Sequence, residues 1–237
     1  MKIIRIFLLM MTVACHLIFA ADLSKKSASI EKLVLAKLKY DGGGNWYINP
    51  ASLPNLAITV CQRTKLPLSD TTTIISLDDP ALFSYPFLFV TGNGTIAFTP
   101  TQRVRLRDFL AGGGFLWVDD SYGIDTSFRR EMASMFPDNP LILLPSSHPI
   151  FSSFYKLPGL PKIHVHDGKP QNAYGIMLDG RMVVLYTFSS DIGDGMENQA
   201  TYNDTPQLHE LALKMGVNVV NWFFSSCQSG VSTKVSK

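Results

Sequence analysis

Two uninterrupted apolar runs, Phe87 to Val90 and Phe115 to Val118, constrain this chain more than any other feature. Each is short, rich in β-branched and aromatic residues, and closed by turn chemistry: Thr91-Gly92-Asn93-Gly94 after the first, Asp119-Asp120-Ser121 after the second. A run of this form is expected of a strand buried on both faces. Between them, Thr99-Pro100 supplies a capping hydroxyl followed by proline at the first helical position, Val104, Leu106, Phe109 and Leu110 supply an apolar stripe, and Gly112-Gly113-Gly114 supplies a stop. Strand, helix, strand implies a right-handed crossover between parallel neighbours.

The rest of the chain repeats the alternation. Leu33 to Tyr40 has a strand's composition and ends at Asp41-Gly42-Gly43-Gly44. A helix is expected over Pro54 to Leu66, with Leu56, Val60 and Cys61 on one face, after start signals at Asn49-Pro50 and Ser52. Thr72 to Leu77 and Leu141 to Leu144 read as strands, Ser127 to Phe136 as a helix, and Tyr174–Leu178 with Met182–Phe188 as a hairpin around Asp179-Gly180. Thr205-Pro206 opens a closing helix that runs to Phe224. The expected class is therefore α/β, flavodoxin-like or doubly wound. Its sheet is mostly parallel, covered by helices on both faces, with a small antiparallel addition from the hairpin.

The first residues read as a secretory signal. Lys2 and Arg5 precede an apolar stretch from Ile6 to Phe19, which exits through Ala20-Ala21. That stretch falls short of the ~20 residues a spanning helix needs. The expectation is a signal peptide over 1–21 and a single exported domain over 22–237, its core at about 30–225, periplasmic or extracellular, with no transmembrane helix after cleavage. Cys15 raises a lipoprotein site, but Thr12 stands where such a site wants leucine. Losing Lys2 and Arg5 takes the 21 basic residues to 19, against 19 acidic ones. A neutral chain without a basic run offers nucleic acid no electrostatic footprint. Of the remaining cysteines, Cys61 and Cys227 can pair as a disulfide in an oxidising compartment if their Cα atoms come within about 7 Å; the plainer reading is two separate thiols.

In open α/β sheets, ligands sit outside the carboxyl ends of the strands. Those exits hold Gly42-Gly43-Gly44, Gly92-Asn93-Gly94, Asp119-Asp120-Ser121 and Ser189-Ser190-Asp191. Gly43, Gly44, Gly92, Asn93 and Ser121 are candidates for binding a small polar or anionic ligand, since glycine allows close backbone approach; the plainer reading is that glycines end strands. Asp119, Asp120 and His148 are candidate catalytic groups. Side-chain alternation directs only one of the two aspartates into the crevice, the other being free to cap the next helix. For His148 the plainer reading is a turn histidine packed beside Pro149. A Ser121 nucleophile with His148 as base lacks the glycine-flanked elbow such serines occupy. The sharpest local pattern is His164-Val165-His166, where extended backbone puts both imidazoles on one side. Asp191, Asp194 and Glu197 follow in a glycine-rich loop. His164, His166, Asp191 and Asp194 form a candidate set for a divalent metal, suiting zinc, manganese or iron better than calcium; the alternative is a hydrogen-bonded loop.

Leu38 to Tyr47, Tyr85 to Leu88, Gly112 to Asp120 and His148 to Phe151 together resemble the bacterial family called domain of unknown function 4159, over roughly residues 30 to 225. The resemblance implies kinship in fold with class I glutamine amidotransferases, and hence a flavodoxin-like sheet, but no activity. In those enzymes a cysteine follows a central strand, where Asp119-Asp120-Ser121 stands here, which argues against glutamine hydrolysis. Three functions remain in view: an exported ligand-binding module, a metal-assisted hydrolase on the same residues, and an accessory protein of a cell-envelope assembly docking through aromatics such as Trp46 and Tyr47.

Overall fold

A computed structural model describes residues 32–232, with side chains through 226. The expected leader, residues 1–21, lies outside this range, as does the side chain of Cys227. Within it, Cys61 Sγ donates to the Leu68 carbonyl at 3.3 Å. Seven strands form one sheet: β1 Leu33–Lys39, β2 Leu68–Ser76, β3 Phe87–Asn93, β4 Phe115–Tyr122, β5 Ile142–Leu143, β6 Asn172–Leu178 and β7 Arg181–Phe188. Their order is β2-β1-β3-β4-β7-β6-β5. The first five in that order run parallel, while β6 is antiparallel to both β7 and β5. This is the flavodoxin-like arrangement with a hairpin added to one edge.

The longer helices are α1 Ser52–Arg63, α2 Pro100–Ala111, α3 Asp125–Met135 and α6 Pro206–Ser232, with the one-turn α4 Ile192–Gly195 and α5 Gln199–Tyr202 between β7 and α6. The continuous apolar strands separate two cores. One joins Phe87, Phe89, Phe115 and Trp117 to α1 and α6. The other joins Leu88, Val90, Leu116 and Val118 to α2 and α3. Period-two alternation in β3 and β4 thus supplies both faces from the same runs. No helix among the described residues is long and apolar enough to cross a membrane.

Helix α2 starts as its sequence predicts. Thr99 accepts from the Gln102 N–H while the Gln102 side chain accepts from the Thr99 N–H, a capping box with Pro100 behind it. Val104, expected on the buried stripe, is instead 55% exposed. It lies two residues from buried Leu106, which at ~100° per residue puts it on the far side of the helix. A second difference matters more for the site. Asp119-Asp120-Ser121 does not end β4 but continues it, with Asp119 and Asp120 registered against Thr91 and Gly92 of β3. Pairing persists because polar partners on both faces satisfy the carboxylates.

Candidate metal centre

The continuation of β4 sends consecutive side chains to opposite faces. Asp120 turns toward α3, accepting from the Ile124 N–H at 3.1 Å and from the Tyr186 hydroxyl at 3.2 Å. It therefore fastens the turn that leads into α3, through the N–H of Ile124 just before the helix. Asp119 and Ser121 turn the other way, toward α4. Asp119 accepts from the Thr187 hydroxyl at 2.5 Å and from the Gly193 N–H at 2.7 Å, and Trp117 Nε1 donates to the same Thr187 oxygen at 3.1 Å. Only glycine fits at 193, since a Cβ there would stand 2.6 Å from Thr91 Oγ1 and 3.2 Å from Asp119. Ser121 donates to Asp194 Oδ1 at 2.9 Å and lies 3.0 Å from the Thr91 hydroxyl.

Above this layer, residues 189–191 leave β7 through two left-handed turns, Ser189 at φ 52° and Asp191 at φ 60°. Aspartate tolerates that region better than most residues, and such backbone persists only where surrounding contacts over-determine it. The turn points the Asp191 carboxylate inward, fully buried. His166 Nε2 lies 2.7 Å from its Oδ2 and His164 Nδ1 lies 3.7 Å from the same atom. Neither Asp191 oxygen, however, receives an aligned hydrogen bond. His164 Nδ1 is also 3.6 Å from Asp194 Oδ2. Ligand atoms of His164, Asp191 and Asp194 all fall within 4.8 Å of one another. Atoms sharing an ion at about 2.0–2.2 Å sit roughly 3–3.5 Å apart, so the 3.6 and 3.7 Å separations from His164 Nδ1 are near a shared-metal geometry that small side-chain movements would close; His166 stands outside this group of three.

Partners outside the cluster aim its members. His164 Nε2 bonds Asp204 Oδ1 at 2.8 Å, leaving Nδ1 turned toward the aspartates. Asn49, in the β1–α1 connection, donates to Asp194 Oδ1 at 2.6 Å and accepts from the Tyr202 hydroxyl at 2.5 Å. Lys37 of β1, buried itself, holds that connection by donating to the carbonyls of Ile48 and Asn49. Glu197 turns away to accept from the Ala51 N–H at 2.8 Å, next to the start of α1.

Without a cation this is an expensive arrangement. Burial, reinforced by Asp119 and Asp194, pushes the Asp191 carboxyl up to about 9. Burial also raises Asp119 to about 7 and Asp120 to about 6, against the hydrogen bonds each accepts. His164 moves up to about 9 because the carboxylates of Asp194 and Asp204 favour its imidazolium. A buried carboxylate without hydrogen bonds must be protonated, paired with a cation or coordinated.

Beside the cluster lies a polar pocket of about 210 Å³, whose wall includes Asp120, Ser121, Tyr122, Asp125, His166 and Lys169. Gly92 and Asn93 stand next to the pocket wall, in register with its Asp120 and Tyr122, and contribute backbone contacts there. The 42–44 and 92–94 loops zip together, with Gly44 N donating to the Thr95 carbonyl and Asn45 N to that of Asn93, both at 2.9 Å. A Cβ on Gly92 would stand 2.1 Å from the Tyr40 hydroxyl, so Gly92 serves this close approach. Gly43 and Asn93 belong to the same seam. His148 caps a 3-10 turn by accepting from the Ile150 N–H at 3.2 Å and packs on Trp222, its ring centre 5.1 Å away. Trp222 sits 13 residues beyond His209, which touches Gly195 of α4 at 2.8 Å; at 1.5 Å per residue that is about 20 Å along α6. Trp46 and the exposed Tyr47 line a separate groove with Lys37 and Ile74.

Asn49, Tyr202 and Asp204 were not visible as site residues in the sequence. Asn49-Pro50 and Asp204-Thr205-Pro206 are fully accounted for as helix-start punctuation, which masks any second role. No curated protein matches the sequence. A family model described as a domain of unknown function (DUF4159) matches residues 34–224, a span that contains every member of the cluster from Asn49 to Asp204, and the chain belongs to that family.

Proposed function

We propose that this chain is an exported metal-dependent ligand-binding protein, in which His164 Nδ1, His166 Nε2, Asp191 and Asp194 hold one divalent transition metal beside a pocket for a small polar ligand. The observation that carries the reading is the Asp191 carboxylate: fully buried, facing two imidazoles, and without a hydrogen bond to either oxygen. A buried carboxylate costs several kcal/mol, which the neighbouring imidazoles offset in part and a coordinated cation offsets directly. Two imidazoles with two carboxylates favour zinc, manganese or iron over calcium. The Asp204–His164 bond is the outer contact that commonly orients a ligating histidine.

The test is elemental analysis of protein purified without chelator or metal-affinity steps, beside a His164→Ala/His166→Ala variant. About one transition-metal ion per chain, lost in the variant, is expected. A folded wild type that stays metal-free after incubation with zinc and manganese overturns the reading. Export is tested on the same preparation, by sequencing the N-terminus of protein recovered outside the cytoplasm; an intact Met1 there counts against cleavage at residue 20 or 21.

A hydrolytic reading of the same site has one specific support. Asp120 lines the pocket and, raised to about 6, exchanges its proton near neutrality, where a carboxylate can accept the proton of a water attacking a bound ligand. Turnover that Asp120→Asn abolishes, with metal content intact, would distinguish an enzyme from a binding module.

A further inference from the structure

The pocket beside the cluster has a composition that discriminates among ligands by charge. Phosphate and other anions are disfavoured. Each group in the wall that would draw an anion already has a carboxylate: Lys169 pairs with Asp167 at 2.8 Å, His166 Nε2 lies 2.7 Å from Asp191, and the N-terminus of α3 has Asp120 on the Ile124 N–H and Asp125 in its first turn. Free cations are disfavoured as well, because the other acidic groups have their own counter-charges. Asp125 pairs with Arg129 at 2.7 Å and Asp167 with Lys169 at 2.8 Å. What remains is a wall rich in acceptor oxygens, from Asp120, Asp125, Asp167, Ser121 and Ser189, whose acidic groups other than Asp120 are paired with cations.

Such a wall selects a ligand that brings many hydroxyl donors and no charge. It also has an aromatic platform. Tyr122, the last residue of β4, is 54% exposed, and its ring lies 5.0 Å from that of His166, placing it at the junction of pocket and cluster. Exposed aromatic faces hold the C–H face of a ring ligand while carboxylates take its hydroxyls. The volume, about 210 Å³, is that of a site for a small ring ligand with an open side.

We propose that this pocket binds a neutral saccharide, one sugar unit seated against Tyr122 with its hydroxyls donated to Asp120, Asp125 and Asp167. The proposal deepens the ligand-binding reading above and shares with its metal only His166, so the two can fail separately. The experiment uses the full mature chain, its metal content measured on the same sample, against an array of neutral oligosaccharides of glucose, galactose, mannose and N-acetylglucosamine beside phosphorylated, sulfated and uronic counterparts. Binding to at least one neutral glycan is expected, confirmed by calorimetry and weakened at least tenfold in Tyr122→Ala, whose metal content and melting temperature are measured alongside to separate loss of the aromatic face from a disturbance of His166. Three outcomes overturn it: no neutral glycan bound by metal-loaded protein, preference for an acidic glycan or inorganic phosphate, or unchanged affinity in Tyr122→Ala. Glycan binding by protein that takes up no metal sustains this inference while removing the metal.

Discussion

His164 Nε2 and Asp204 Oδ1 are joined by a 2.8 Å hydrogen bond across 40 residues of sequence, and that bond determines which imidazole nitrogen faces Asp191 and Asp194. Asp204 therefore acts as a positioning residue. Asp204→Ala is expected to weaken metal binding by about 10–100-fold, the usual cost of losing such an outer contact. Asp204→Asn, which can still accept from Nε2, should recover part of it. Competition titration against a chromogenic chelator reads both, and equal losses in the two variants would count against an orienting role.

Asp191→Asn should separate stability from function. The side chain keeps its shape but no longer has to take up a proton to stay buried, a cost the wild-type carboxyl, raised to about 9, bears in the metal-free fold at pH 8. Thermal unfolding in chelator at pH 8 should show a Tm higher by a few degrees, corresponding to ~1–2 kcal/mol in a chain of this size. Metal uptake should disappear. A lower Tm in the variant would mean that Asp191 is stabilising as it stands.

The pH dependence of the metal-free protein follows from four shifts of one sign. Asp119, Asp120 and Asp191 rise from 3.8 to about 7, 6 and 9, and His164 rises from 6.5 to about 9. A group whose folded value exceeds its unfolded one contributes stability that is complete below the unfolded value and lost as pH rises through the folded one. Stability in chelator should accordingly fall between pH 5 and pH 8. Lys37, lowered by burial to about 8, opposes this trend only above that value. Saturating zinc should stabilise more at pH 8 than at pH 5, because protons compete with metal for the same ligands. Melting curves across the range, with and without zinc, check both slopes.

Thr187 receives the indole N–H of Trp117 and donates to Asp119 from the centre of the sheet. Thr187→Val keeps the β-branched shape but strands both partners, which should cost about 1–3 kcal/mol. Denaturant unfolding measures this, and a change under ~0.5 kcal/mol would show that the network relaxes around the loss.

Much of this architecture was legible residue by residue. Phe87–Val90 and Phe115–Val118 announced buried parallel strands because only a strand covered on both faces reads as a continuous apolar run. Thr99-Pro100 announced α2, and Asp179-Gly180 the hairpin, because caps and tight turns depend on residues adjacent in sequence. His164 and His166 were legible as a same-side pair for the same reason: extended backbone repeats every two residues, whatever lies across from it. That Asp119 and Asp120 part company also followed from alternation alone.

Local chemistry could not say what each of those side chains meets. Whether Asp119 or Asp120 faced the cluster depended on which helix covered which face of β4. The separation of His148 from the site depended on its packing against Trp222, far along α6. Asn49 and Asp204 were concealed, since a turn residue satisfies its own backbone whether or not its side chain also reaches a neighbour. The sequence alone determined the strands, the helices, their alternation and the two-residue periodicity of the candidate ligands, all set by contacts within a few residues. Only the tertiary structure decided that Asp191, with neither oxygen hydrogen-bonded, would stand buried between two imidazoles, because that convergence depends on the order of the strands and on two left-handed turns after β7.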